Sequence, residues 1–142
     1  MAKVAVVVTV LNEAKTVDEL IRALKSQTRL PAEIVIVDGG STDGTWEKLR
    51  QIAGIKALQK PGNRSTGRNF GVSRTRSPMI AFTDAGCVLQ KDWLEELVKP
   101  FASKQVQVVS GYYRGLPRNV FEKCLVPYVL VMPDRIPQEF FP

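Results

Sequence analysis

Three features of the sequence predict an α/β fold: three layers, with a mainly parallel sheet between helices. Val- and Ile-rich runs alternate with segments whose apolar residues recur at helical spacing. The runs are continuous rather than alternating, as in strands buried on both faces, and the connections are short.

Val4 to Leu11 is the first such run and ends in the polar pair Asn12-Glu13. Thr16 and Glu19 have the spacing of a capping box, and Val17, Leu20, Ile21 and Leu24 then form one apolar stripe, predicting a helix to about Gln27. Leu30-Pro31 stops it. Ile34 to Val37 reads as the second strand, "DGGSTDGT" as a turn in which Ser41 or Thr42 can cap the next helix, and Trp46, Leu49, Ile52 and Ala53 as the inner face of that helix. Ile55 to Leu58 predicts a short third strand.

The polar, basic stretch "KPGNRSTGRN" predicts a loop that opens into a helix from about Ser65 to Arg74. Pro78 to Thr83 is the next strand and delivers Asp84. Asp92 with Glu95 reads as a cap for a helix carrying Trp93, Leu94, Leu97, Val98 and Phe101, and Val106 to Gly111 as a last strand.

Length and composition narrow the chemistry. The 142 residues, 44% of them hydrophobic, suit one domain with a real core, and the net charge of +6 favours anionic partners. Cys87 and Cys124 form no disulfide framework, and the start leads into a strand rather than a cleavable leader, so a reducing cytoplasm is expected. The absence of histidine excludes a Ser-His-Asp triad, a Cys-His pair and histidine-ligated zinc within this chain. Aromatic residues are not interleaved with the Lys and Arg as a stacking platform requires, so nucleic acid is not an expected partner.

Parallel sheets bind ligands beyond the carboxyl ends of their strands. Those ends deliver Asn12 and Glu13, Asp38, and Asp84. Any one alone reads as a turn or surface carboxylate; three together read as a site. Neither G-x-G-x-x-G nor G-x-x-x-x-G-K-[ST] occurs, so phosphates need another holder, and Arg64 and Arg68, beside the third helix, supply the charge. Gly39 and Gly40 allow a ligand to approach the backbone closely.

"VTVLNEA", "IVIVDGGSTDGT", "GRNFGVSRTRSPMIAFTDAG" and "DWLEEL", in this order and spacing, resemble the N-terminal nucleotide-sugar-binding half of family 2 glycosyltransferases with the GT-A fold, whose sheet half is Rossmann-like. The resemblance covers roughly Val4 to Gly111. It implies an inverting transfer from a nucleotide-sugar donor, most often UDP- or GDP-linked. Thr9, Leu11, Asn12, Glu13, Asp38 and Gly40 would surround the nucleoside base, Asp38 accepting a ring N–H. Arg68 would approach base or diphosphate, and Asp84 the ribose and the metal region.

Family members carry D-x-D where this chain has Asp84-Ala85-Gly86, so Gly86 replaces the second aspartate, the one that binds Mg²⁺ or Mn²⁺. Cys87 is a soft ligand and does not substitute for it. Two alternatives stay open: Asp84 recruits a metal already held by the diphosphate, or arginines replace the ion. The expectation is the first, weak and dependent on the ligand.

A general base is expected beyond residue 142, since Glu95, Glu96, Glu122, Asp134 and Glu139 form no family base motif. Residues 1–111 are thus expected to be the donor-binding domain and 112–142 to lead into an acceptor-binding half, in a fragment or natural truncation. The acceptor class, lipid, glycan or protein, is not legible. "CLVPYVLVMP" is apolar but too short to span a bilayer. It reads first as core of the second half, then as a peripheral contact with the inner face of the membrane through Arg114, Arg118 and Lys123. Its exposure would favour a homo-oligomer. The competing function is a nucleotide-sugar-binding module without catalysis.

Overall fold

The computed structural model describes residues 2–129. Its first unit, residues 1–107, is built on four parallel strands: β1 (Val4–Val10), β2 (Glu33–Asp38), β3 (Lys56–Gln59) and β4 (Met79–Asp84), in the spatial order β3-β2-β1-β4. The helices are α1 (Val17–Lys25), α2 (Thr45–Leu49), α3 (Arg64–Val72) and α4 (Trp93–Val98).

The continuous apolar runs do what the sequence predicts: alternate side chains feed cores on opposite faces of the sheet. Val4, Val6, Val8, Val10, Ile34 and Ile36 pack with Val17, Leu20, Ile21 and Leu24 of α1, Leu49 of α2 and Leu94 of α4. On the other face Val7, Val35 and Val37 meet Phe70 of α3. The result is three layers, with α1, α2 and α4 on one side and α3 on the other.

The seating of α3 depends on two glycines. A Cβ built on Gly67 lies 2.8 Å from Thr9 Cγ2, and one on Gly71 lies 2.5 Å from Val7 Cγ1, so the helix backbone rests directly on β1. No side chain larger than hydrogen fits between them.

Three local expectations are corrected. Thr16 does not accept a capping bond; it stands at φ −116°, ψ −19°, and its hydroxyl donates to the Glu13 carboxylate, because residues 13–16 form a turn of their own before α1. Asp92 makes no cap either. Gln27, from the end of α1, does that work: its Oε1 accepts the Leu94 N–H at 2.9 Å, and its Nε2 donates to the Gln90 carbonyl at 2.8 Å. Residues 106–110 join no strand, and Val108 is 86% exposed. An apolar alternation becomes a strand only where a neighbour supplies the ladder of hydrogen bonds.

The second unit begins at Val108 and contains α5 (Val120–Val129), which holds Pro127. Asn119 and Glu122 cap its start: Asn119 Oδ1 accepts the Glu122 N–H at 2.8 Å and Glu122 Oε2 accepts the Arg118 N–H at 2.6 Å. Among the described residues no helix is long and apolar enough to cross a membrane. The end of the apolar stretch beyond Val129, with Asp134 and Glu139, lies outside the described residues.

Candidate functional site

The chain runs β1, β2, β3 outward in one direction, then returns to place β4 on the other side of β1. Strand order therefore reverses between β1 and β4, and the crevice at such a reversal is where open parallel sheets bind ligands. Register aligns the ends: Thr9 pairs with Asp84, Val10 with Asp38 and Asp38 with Gln59. A cleft of about 380 Å³ opens there, bounded by Thr9, Val10, Leu11 and Glu13, by Val37 and Gly39, by Gly62, Asn63, Arg64 and Gly67, and by Asp84, Ala85 and Gly86.

Of the residues singled out in the sequence, Thr9, Leu11, Glu13 and Asp84 line this cleft, while Asn12, Asp38, Gly40 and Arg68 do not. Asn12 sits in the left-handed region at φ 57°, and its polar atoms bind the loop after β2: its N–H donates to Ser41 Oγ at 2.8 Å and its Oδ1 accepts the Thr42 N–H at 2.9 Å. The Glu13 N–H donates to Thr45 Oγ1 at 2.8 Å and the Ala14 N–H to Asp43 Oδ2 at 2.9 Å. Thus "NEA" and "STDGT" are two halves of one clasp between the loops after β1 and β2. Ser41 and Thr42 are not helix caps as expected; α2 starts after Gly44, which takes φ 93°.

Asp38 is fully buried. Its carboxylate accepts the Gly40 N–H at 3.2 Å, the Ser41 N–H at 3.1 Å, Gln59 Nε2 at 3.0 Å and the Ser41 hydroxyl. It shapes the turn beneath the cleft, and the reason is local: a carboxylate at a strand end finds the free amides of the residues just beyond it.

Asp84 differs, with a side chain 36% exposed between two guanidinium groups. Oδ1 pairs with Arg68 Nη2 at 2.6 Å and Oδ2 faces Arg64 Nη1 at 3.7 Å. Arg68 is also held over the Phe82 ring, its Cζ 5.7 Å from the centroid. Arg64 is the first residue of α3, whose end is set by Asn63, the Oδ1 accepting the Thr66 N–H at 2.9 Å. The contribution of Gly62, Asn63 and Gly67 to the cleft was not anticipated; an Asn three residues before Thr66 is the signal that fixes where α3 begins.

The Mg²⁺ or Mn²⁺ expected at Asp84 is one that arrives with the diphosphate, and the protein groups around that carboxylate do not make a complete ligand set of their own. A hard cation needs about six oxygen ligands. Here Ala85 and Gly86 add no side-chain oxygen, Glu13 accepts the Thr16 hydroxyl, and among the described residues no group of three His, Cys, Asp or Glu side chains converges.

The clasp itself responds to pH. The Thr45 hydroxyl, then the Ala14 N–H, hold the Asp43 carboxyl below its ordinary value of 3.8. A depressed folded-state value means that the stabilisation is present above pH 3.8 and is lost as pH falls through the lower folded value. In an NMR titration the Asp43 carboxyl carbon is expected to titrate below 3.8, with the Ala14 amide resonance moving in step. A midpoint at or above that value would mean the bonds do not form in solution.

A parallel sheet with its cleft at the strand-order reversal is common to open α/β folds, and solved structures place this one in the GT-A class of glycosyltransferase fold. A mannosyltransferase from Pyrobaculum calidifontis, in complex with GDP-Man and Mn²⁺, superposes with a TM-score of 0.72 at 27% identity over 80% of this chain and 36% of its own. Glucosyl-3-phosphoglycerate synthase from Mycobacterium tuberculosis, with Mn²⁺, UDP and glucosyl-3-phosphoglycerate, gives 0.64 at 26% identity over 80% of this chain and 45% of its own. The chain belongs to glycosyl transferase family 2, whose profile matches residues 5–126. Among curated relatives, glycosyltransferase AglE of Haloferax volcanii is 31% identical over 116 residues, 76% of this chain and 38% of the relative. The chain therefore spans less than half the length of each of these relatives.

Proposed function

We propose that this chain binds the donor of a glycosyltransferase, a UDP- or GDP-linked sugar, for an inverting transfer to a lipid, glycan or protein acceptor. The observation that carries the proposal is the cleft at the ends of β1 and β4, whose lining brings together Leu11, Glu13, Arg64 and Asp84. Family membership and the nucleotide complexes of the two structural neighbours support it. Nucleoside and diphosphate have opposite needs, an apolar wall for the base and cationic groups for the phosphates, and the cleft lining includes both Leu11 and Arg64.

In this reading Thr9, Leu11 and Glu13 contact the nucleoside directly, whereas Asn12, Asp38 and Gly40 act by shaping the loops that hold them. Residues 1–111 carry donor binding, and no residue of the cleft is assigned as the general base.

A thermal-shift screen of nucleoside diphosphates tests the proposal. A ligand at about 100 times its Kd stabilises the folded state by about 2.7 kcal/mol, which for a domain near this size raises Tm by roughly 5–10 °C. A selective rise with UDP or GDP is the expected result; no rise with any nucleoside diphosphate would reject it.

A further inference from the structure

We infer that the cleft binds the diphosphate of its donor without a divalent cation, with Arg64 contacting the phosphates and the Arg68–Asp84 ion pair standing where a cation would be held. The inference rests on the donor-binding reading and adds how the charge is neutralised.

Among the described residues, Asp84 is the one carboxylate of the cleft not engaged within the loop after β1, and its two oxygens are turned to different guanidinium groups, 2.6 Å from Arg68 and 3.7 Å from Arg64. A cation approaching that carboxylate meets Oδ1 already paired with Arg68 and two positive charges close by, and neither Ala85 nor Gly86 offers an oxygen-bearing side chain in compensation. The position of Gly86 is open, with nothing within 4 Å of where a Cβ would stand, so no neighbouring side chain occupies the gap.

An anion meets the reverse situation. Asp84 offsets one of the two guanidinium charges beside it and leaves the other to meet an anion locally, while Glu13 is the second carboxylate of the lining. The two arginines are also held differently. Arg68, clamped between Asp84 and the Phe82 ring, is fixed and stands outside the cleft lining, while Arg64 lines the cleft, is 67% exposed and has the longer ion pair. Arg64 is thus the group free to turn onto a diphosphate, for which a guanidinium offers paired N–H donors. Arg68 keeps Asp84 neutralised, so that the carboxylate does not repel the incoming phosphates.

Calorimetry with UDP and GDP, in EDTA and in millimolar Mn²⁺, tests this on the 142-residue chain. The expected result is binding in EDTA, with affinity within about threefold of that in Mn²⁺, and a loss of roughly tenfold or more for Arg64→Ala with and without the metal. Uridine or guanosine, lacking phosphates, should bind wild type and Arg64→Ala alike. Since Arg64 is exposed, the variant should melt as wild type does, which separates lost contact from lost fold. Binding that arises only with Mn²⁺, or an Arg64→Ala affinity equal to wild type, overturns the inference while leaving donor binding intact. No binding of either nucleotide under both conditions overturns the donor-binding reading and the inference with it.

Discussion

Replacing Asp38 with alanine is expected to destabilise the fold by about 3 kcal/mol or more, because it strips the acceptor from several buried donors at once. The Gly40 and Ser41 amides, the Ser41 hydroxyl and Gln59 Nε2 all converge on that carboxylate. Each buried donor left unpaired costs about 1–3 kcal/mol, and relaxation recovers only part of it. Asp38→Asn keeps one acceptor oxygen and should fall between. Chemical denaturation measures the loss, and nucleotide titration on the folded fraction gives the second readout. A carboxylate that instead met the base directly, as the sequence suggested, would show the opposite pattern: affinity abolished with stability unchanged. The two outcomes are well separated, so one variant decides whether Asp38 belongs to the ligand or to the turn.

Gly71→Ala is the second substitution with a large expected effect. In an exposed helix interior, alanine is more favourable than glycine by about 0.8–1 kcal/mol. Here the added methyl meets Val7 Cγ1 at 2.5 Å and Val37 Cγ2 at 3.1 Å, and both valines are fully buried. Overpacking of that kind costs about 1–3 kcal/mol or more and exceeds the propensity gain. A net loss of about 1–2 kcal/mol, or roughly 5 °C in Tm, is expected. Gly86→Ala, with nothing within 4 Å of the new atom, is the control and should melt as wild type does. If α3 relieves the clash by lifting off β1, Arg64 and Arg68 travel with it, and nucleotide affinity should fall together with Tm. A Gly71→Ala protein at least as stable as wild type would mean that the helix does not rest on β1.

Most of the fold was legible because it depends on one-dimensional patterns. Continuous Val and Ile runs mark strands with two covered faces, and the stripe Val17, Leu20, Ile21, Leu24 marks α1 whatever surrounds it. Thr16 fails as a cap because of a local turn, while two other errors share a cause: the feature needed a partner distant in the chain. Leu94 is capped by Gln27, 67 residues away, and local spacing offered Asp92 instead. Val106 to Gly111 has the composition of a strand and lacks a ladder.

The site divides the same way. The position of the cleft comes from topology, and the strand ends pointed to it. The use of its polar atoms does not, since Asn12 and Asp38 carry the residue types of a binding site and spend them on loop contacts. Nothing in the spacing of Asn12 and Ser41, 29 residues apart, announces their hydrogen bond. Departure from D-x-D was visible from the start, but which groups Asp84 would face instead emerged only when α3 brought Arg64 and Arg68 to the end of β4.

The clasp between the loops after β1 and β2 bears on kinetics as well as shape. Four amides, those of Asn12, Glu13, Ala14 and Thr42, are committed to side chains on the opposite loop. Such a rim holds its form without a ligand, so under the proposed function an arriving nucleotide would have little conformational freedom to remove from it. For these two loops, association would then depend on diffusion and charge steering rather than on their closing over the ligand.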